Sequence, residues 1–328
     1  MGWKVDFFHP LSSRTGLLES YLRRLNRPDL IWSPCFRQTD IAAAAHWADR
    51  WGVPLIIDPL ISAYQKDVFE RGKWPPDSPQ AMSRKKWEGS LFAKADIIVA
   101  DTPAHAVFFR DEFRVNAEKI QILYVSAEDD LFKPMPFPDR KNHIEVLFYG
   151  SFLPLQGIDV IIEAAKLTDD PGIQWTLLGE GELRPAMEKR AAGASHISFE
   201  PWIEYADLPG RLSRSHILLG IFGVTRKADL VIPNKLFQSM AAGRPVITRR
   251  ASAYGETLAG SDVIGWVPPG DSAALAGKVR EWSRNTGLLK ERGMETRKLF
   301  ETFFGRDKIK TMLHDLLNHA LTGVNRHS

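Results

Sequence analysis

Two lysines, Lys227 and Lys235, flank a short run that ends Ile232-Pro233-Asn234-Lys235. Leu236, Phe237, Met240 and Ala241 follow at helical spacing, with Gly243 and Pro245 to stop the helix. Pro233 suits a first helical turn, where its missing N–H costs nothing. A helix start exposes free N–H groups and partial positive charge, and two lysines add full charges beside it. The chemistry such a grouping suits is phosphate binding. The alternative is a proline-started helix with solvated lysines, and this stretch alone does not separate the two.

Other loops add to it. Gly150-Ser151-Phe152-Leu153-Pro154-Leu155-Gln156-Gly157 follows one apolar run and opens a helix, and its glycines permit close approach of a ligand to the backbone. Gly179-Glu180-Gly181 follows the next apolar run; on its own it is an ordinary turn. Glu256, in Ser252-Ala253-Tyr254-Gly255-Glu256, could accept from sugar hydroxyls or simply favour a helix's first turn. In the first half, His9, Arg37 with Gln38, Asp58 with Tyr64, and Asp101 with His105 stand after strand-length runs. Asp101 reads equally as a helix cap ahead of Pro103, and His105 as a structural residue in that helix. No HExxH, cysteine cluster, GxSxG or GxxxxGK[ST] occurs, so no metal, serine-hydrolase or P-loop chemistry is expected.

These loops need a scaffold that gathers them. Strand-length apolar runs alternate with helical periodicities along the chain, which implies parallel sheets. The first series places strands at 4–8, 29–32, 54–57, 96–100 and 120–125, with residues 60–78 as a long connection. The second runs through strands at 145–149, 174–178, 196–199, 217–221, 246–248 and 263–267. Residues 133–142, rich in proline and charge, read as the linker. The expected domains are therefore 1–134 and 143–304, with a last helix near 306–321 that packs back on the first. Loops at the carboxyl ends of such strands face the ligand crevice.

The chain has 328 residues, enough for two domains, and a net charge of +3. That charge, with a pI near 8.9, is too weak for nucleic-acid binding but compatible with phosphate-bearing substrates and with peripheral contact at an anionic membrane surface. A single cysteine, Cys35, fits a reducing compartment. No run reaches the ~20 apolar residues of a bilayer span. A cytoplasmic protein, peripheral at the membrane where its acceptor requires it, is the expectation.

The segments FYGSFLPLQGIDVIIEAAKL, WTLLGEGEL, ISFEPWI, LGIFG and IPNKLFQSMAAGRPVIT occur in this order. With DPLISAY and VADTPAH in the first half, they resemble the retaining, nucleotide-sugar-dependent glycosyltransferases of the GT-B fold, family 4. The resemblance implies two Rossmann-like, doubly wound parallel-sheet domains around an interdomain cleft, no metal cofactor, and a glycan or lipid-linked acceptor. It implies that Gly150, Ser151, Gln156, Gly157 and Asn234 hold the donor diphosphate, with Lys235 and Lys227 neutralising the charge that develops on it. The nucleoside would lie near Gly179, Gly181, Trp202, Ile203 and Gln238, the sugar near Glu256, and the acceptor near His9, Arg37, Asp58 and Tyr64. The chain departs from the family at four places. Ser151 and Gln156 stand where many members carry Arg and Lys, and Leu230 and Gln238 where many carry glutamates. These departures leave open a catalytically weak sugar-nucleotide-binding relative, and the shared fold leaves open an epimerase.

Overall fold

A computed structural model describes residues 2–139 and 143–323. The chain forms two compact units, one made of residues up to Tyr124 together with those from Lys310, the other running from Val125 to Ile309. Residues 140–142 of the proline-rich stretch lie outside the described residues.

The first unit contains α1 Gly16–Leu22, β1 Ile31–Ser33, α2 Ile41–Trp51, β2 Leu55–Ile57, α3 Ala63–Gln65, α4 Pro79–Phe92, β3 Ile97–Ala100, α5 Pro103–Phe113 and β4 Ile120–Ile122. All four strands pair in parallel, in the order β1-β2-β3-β4. β2 and β3 are apolar and buried along their whole length, as central parallel strands must be. The segment 4–8 does not join them. Lys4 and Asp6 alternate with Val5 and Phe7, a pattern half polar where a sandwiched strand is apolar on both faces, and Phe7 is 80% exposed.

Residues 60–78 also differ from the expected connection. Ser62 caps α3, which runs into a π-helical turn, Lys66–Glu70. The cause is remote in sequence. The buried carboxylate of Glu88, on α4, accepts from Ser62 Oγ (2.7 Å) and from the N–H groups of Ala63 (2.6 Å) and Tyr64 (2.9 Å).

The second unit continues with β5 Ile144–Tyr149, α6 Ile158–Thr168, β6 Ile173–Leu178, α7 Arg184–Ala191, β7 Ile197–Glu200, α8 Leu208–Ser213, β8 Ile217–Leu219, α9 Arg226–Leu230, α10 Asn234–Ala241, β9 Val246–Arg249, α11 Gly255–Ala259, β10 Gly265–Val267, α12 Ser272–Ser283 and α13 Thr286–Phe303. The last helix, α14 Arg306–Gly323, starts here and enters the first unit at Lys310. There its Leu316, Leu317 and Ala320 pack on Ile56, Ile97 and Val99 of the sheet.

The second sheet runs β10-β9-β8-β5-β6-β7, all parallel. Strand order reverses between β5 and β8, and loops on the two sides of such a switch point diverge to leave a crevice. The core beneath it is built from β5, β6 and the apolar faces of α6 and α12, including Ile144, Val146, Trp175, Ile161, Leu275 and Val279. Residues 125–137 are tied to this unit. Phe132 is fully buried, and the Arg244 guanidinium donates to the carbonyls of Met135 (3.1 Å) and Pro136 (2.8 Å). Among the described residues no helix is long and apolar enough to cross a membrane.

Candidate functional site

The switch point is lined by backbone. Gly157 ends the β5–α6 loop in the left-handed region, at φ 66°, where glycine is favoured. A Cβ there would lie 2.5 Å from the N of Gly223 in the β8–α9 loop. The two loops therefore touch main chain to main chain. Phe222 N donates to Gln156 O at 3.0 Å, sealing the contact. Gly179, at the end of β6, packs equally tightly on the Gly150 carbonyl, and Gly181 on the backbone of Phe152. Gly150, Gly157, Gly179 and Gly181 thus form one backbone surface, with Ser151 exposed at its edge.

Lys235 sits over that surface. It lies in the first turn of α10, beside Asn234, with Pro233 as the capping residue just outside the helix. Its side chain is only 7% exposed. Nζ donates to Gln156 Oε1, lies 4.6 Å from the Phe148 ring centroid, and occupies the space a side chain at 150 would take. Its backbone carbonyl accepts from Tyr149 Oη at 3.2 Å. Burial pulls the ammonium down to about 7 from its ordinary value. A cation held by one amide and the rings of Phe148 and Tyr149 is poised to gain from an arriving anion.

Lys227 lies on a short helix of its own, α9. Thr225 caps α9, and Lys227 is a buried residue of that helix. The helix is fixed from below. Asp229 accepts from Arg249 Nη2 (3.0 Å) and Ser252 N (3.2 Å), and Arg249 Nη1 donates to Gly223 O (2.8 Å). Beside this ion pair a cavity of about 340 Å³ is lined by Arg250, Ser252, Tyr254 and Trp266. It flanks the glycine loops rather than coinciding with them. Glu256 is exposed in the first turn of α11, on the chain that leaves this cavity.

Along α10, one turn after Lys235, Gln238 is buried and donates through Nε2 to Tyr205 Oη at 3.2 Å. Tyr205 Oη donates in turn to Glu128 Oε2 at 2.8 Å. Trp202, three residues before Tyr205, holds its indole 56% exposed, and Ile203 is half-buried. Leu230 closes α9 half-buried. Sequence reasoning missed Glu128 and Tyr205, because only the fold brings positions 77 residues apart into contact.

In the first unit, Asp58 follows β2 and Asp101 follows its sheet neighbour β3. Burial raises the Asp58 carboxyl to about 6, and the nearby Asp101 charge adds to the rise. Asp101 does not cap α5. Thr102 does, its Oγ1 accepting from His105 N at 3.0 Å. Asp101 instead receives Nδ1 of His105, a fully buried ring stacked on Phe109 and joined at Nε2 to Gln65. Tyr64 does not face a ligand space. It is 4% exposed, packed edge-on against Phe69 and Phe113, because α3 folds it inward. Arg37 is half-buried and paired with Asp40, Gln38 bonds to the Ile61 carbonyl at 2.9 Å, and His9 stacks at 6.1 Å on Phe7 in the unpaired leading segment. Among the described residues no group of three or more His, Cys, Asp or Glu is placed to hold a metal.

Comparison with known proteins follows the same division. A family profile described as glycosyl transferases group 1 matches residues 143–285, and one described as glycosyl transferase 4-like domain matches residues 2–125. D-inositol 3-phosphate glycosyltransferase of Segniliparus rotundus is 25% identical over 257 residues, covering 70% of this chain and 54% of that protein. The putative colanic acid biosynthesis glycosyl transferase WcaI of Escherichia coli is 35% identical over 134 residues, covering 39% of this chain and 31% of that one. The chain spans about half the length of the curated relatives it matches. Among solved structures, Anabaena Alr3699/HepE in complex with UDP-glucose superposes with a TM-score of 0.71 at 16% identity, over 93% of this chain and 81% of that one. Sucrose-phosphate synthase from Thermosynechococcus elongatus gives 0.69 at 16%, over 94% and 77%. The two parallel-sheet α/β units are those of the GT-B fold.

Proposed function

The chain belongs to the glycosyl transferases group 1, and from that premise we propose that it moves a sugar from a nucleoside-diphosphate sugar to a hydroxyl acceptor, with retention at the anomeric carbon. The observation that carries the reading is Lys235, buried over the glycine backbone of the switch point with Gln156 as its polar partner. A departing nucleoside diphosphate gathers negative charge, and a desolvated lysine beside free helix N–H groups stabilises it most where water is excluded. Lys227, on the neighbouring helix, adds long-range positive potential. The leaving phosphate oxygen takes the proton of the acceptor hydroxyl, so no side-chain base is required in unit 2.

The second unit serves as the donor domain and the first as the acceptor domain, with Asp58, Arg37 and His9 on the acceptor side. A glycan or lipid-linked acceptor is the favoured class, and exposure in the first unit supports a lipid surface. Val5, Phe7, Leu11, Leu18, Tyr21 and Leu22 are exposed there, interleaved with exposed Lys4, Arg14, Arg23, Arg24 and Arg27. Apolar side chains amid arginines fit the interface of an anionic bilayer. The catalysis needs no metal, so EDTA leaves turnover unchanged; activity lost to EDTA and restored by Mg²⁺ or Mn²⁺ overturns this.

The test is incubation with sugar nucleotides without acceptor, UDP-glucose first because the Anabaena neighbour holds it. Slow release of nucleoside diphosphate supports a transferase. Isomerised sugar would identify an epimerase. Binding with no turnover would favour the second reading, a catalytically weak relative, which the uncharged Ser151, Gln156, Leu230 and Gln238 support.

A further inference from the structure

We propose that the cavity between α9 and the β9–α11 loop is a saccharide subsite in its own right, built to take a sugar ring that carries a carboxylate, as a uronic acid unit of a glycan does. Its lining includes none of the residues that the resemblance gives to the donor, so the subsite does not depend on the assignment of Lys235.

Shape comes first. At about 340 Å³ the cavity stands at the lower end of ligand pockets, ~300–1,000 Å³, and suits one sugar ring better than a nucleotide. One wall is aromatic. Tyr254, almost fully buried, and half-buried Trp266 meet with ring centroids 4.7 Å apart, inclined at 51°. Trp266 Nε1 is committed to the Ser261 carbonyl (2.9 Å), outside the lining, so what the indole offers a ligand is its ring. A pyranose has an apolar C–H face, and an aromatic wall is the surface that covers it.

Unused hydrogen-bonding capacity comes second. Arg250 stands exposed at the rim, its guanidinium carbon 5.8 Å from the Trp266 ring centroid. A guanidinium has about five N–H donors, yet Arg250 makes one long bond, from Nη1 to the Ala259 carbonyl at 3.4 Å. Among the described residues it pairs with no carboxylate. Arg249, by contrast, is spent on Asp229 and on the carbonyls of Gly223 and Arg250. Half-buried Asp229 accepts from Arg249 Nη2, Ser252 N and Ser252 Oγ, which leaves about one of its lone-pair sites open. The cavity therefore presents a planar fork of donors, which matches a carboxylate, and an acceptor for a hydroxyl.

Charge comes third. Two arginines against one aspartate leave the lining with a single net positive charge. One ionised carboxylate balances it, whereas a phosphate monoester, at roughly −1.5 to −2, overshoots. A neutral hexose would leave the Arg250 fork unmatched.

The experiment follows the Trp266 indole N–H resonance of the full chain by NMR, assigned through its loss in Trp266→Phe. The titrants are methyl β-D-glucuronide, methyl β-D-glucoside and glucose 6-phosphate, each with and without saturating UDP. The glucuronide is expected to shift that resonance and to bind about tenfold or more tighter than the glucoside, with or without UDP. Arg250→Gln should abolish this preference and Arg250→Lys should keep part of it, both with melting temperature and UDP affinity unchanged. Equal affinity for glucuronide and glucoside overturns the inference, as does no response to either, tighter binding of glucose 6-phosphate, or a full preference in Arg250→Gln. Displacement of the glucuronide by UDP would overturn it too, by placing the sugar in the donor site. Glucuronide binding in a protein that does not take up UDP would sink the nucleotide-sugar reading and leave the subsite standing.

Discussion

A buried lysine with no carboxylate beside it makes folding and function oppose each other at Lys235. Its folded pKa is depressed to about 7, whereas in the unfolded chain it stays charged up to its ordinary value of 10.5. Between those values the unfolded chain binds the extra proton, so this group's contribution to stability rises with pH across the window, and its burial cost is greatest below about 7. Lys235→Met should therefore fold more stably at neutral pH, by roughly 1–3 kcal/mol, and lose turnover by at least about tenfold, or ~1.4 kcal/mol. Melting curves and initial rates on the same preparation check both. A stability drop together with full activity would remove Lys235 from the mechanism. The pH sign for binding is opposite. Above about 7 the empty site holds a mostly neutral lysine, and a diphosphate favours its ammonium form. Donor binding at pH 8 should take up the greater part of one proton, read as the dependence of binding enthalpy on buffer ionisation. No uptake would mean that Lys235 is already charged or does not meet the phosphate.

At the scale of elements, the loops that the sequence shows best are those whose constraint is local. The glycines of 150–157 and 179–181 are bounded by apolar strand runs, and both segments bring backbone against backbone as their composition suggests. This gives a prediction at Gly179, which has φ 134° and whose Cβ would collide with the Gly150 carbonyl. Gly179→Ala should cost at least about 2 kcal/mol, while Gly193→Ala, at φ 87° with open space around it, should cost only about 1 kcal/mol. Denaturant titration distinguishes them; equal costs would mean that the β5 and β6 loops can separate freely. Features fixed by remote partners were not legible. The turn of α3 depends on Glu88, more than twenty residues on, and that inward turn buries Tyr64. Asp101, two residues ahead of Pro103, has the local pattern of a cap, but Thr102 takes the cap and leaves Asp101 for His105. The segment 4–8 has strand-like residues, but strand formation needs a sheet edge with matching faces, which no single sequence window reveals.

At the scale of the molecule, the exposed apolar residues of the first unit lead to a surface prediction. Leu18 and Leu22 lie in α1, whose buried residues are only Gly16 and Ser20. Replacing both leucines by Glu should abolish sedimentation with vesicles of mixed phosphatidylglycerol and phosphatidylcholine while leaving nucleotide binding intact. Vesicles of phosphatidylcholine alone should bind the wild type weakly, because the arginines supply the attraction to anionic headgroups. Self-association of the wild type that the same double change abolishes would show instead that a second copy covers this face.

The chain's division carries a further consequence. Composition places the linker at 133–142, but the second unit begins at Val125, ahead of the prolines. The reason lies in buried charge. Arg244 is almost fully buried, and burial lowers its guanidinium to about 10. It donates to the carbonyls of Met135, Pro136 and Ser213, so removing residues 125–137 would strand a cation in the core. Those residues also supply Phe132, which is fully buried, and Glu128. A fragment of residues 125–309 is therefore expected to fold cooperatively and bind nucleoside diphosphate, and to transfer no sugar. A fragment of residues 143–309, cut where the sequence suggests, should be less stable by about 3 kcal/mol or more from the orphaned arginine and the emptied Phe132 site. Arg244→Met in the shorter fragment should recover part of that loss, because it removes a buried charge left with only the Ser213 carbonyl. Urea melts of the three proteins decide the matter. Equal stability of the two fragments would return residues 125–137 to the role of a passive linker, and sugar transfer by the longer one would remove the first unit from the chemistry.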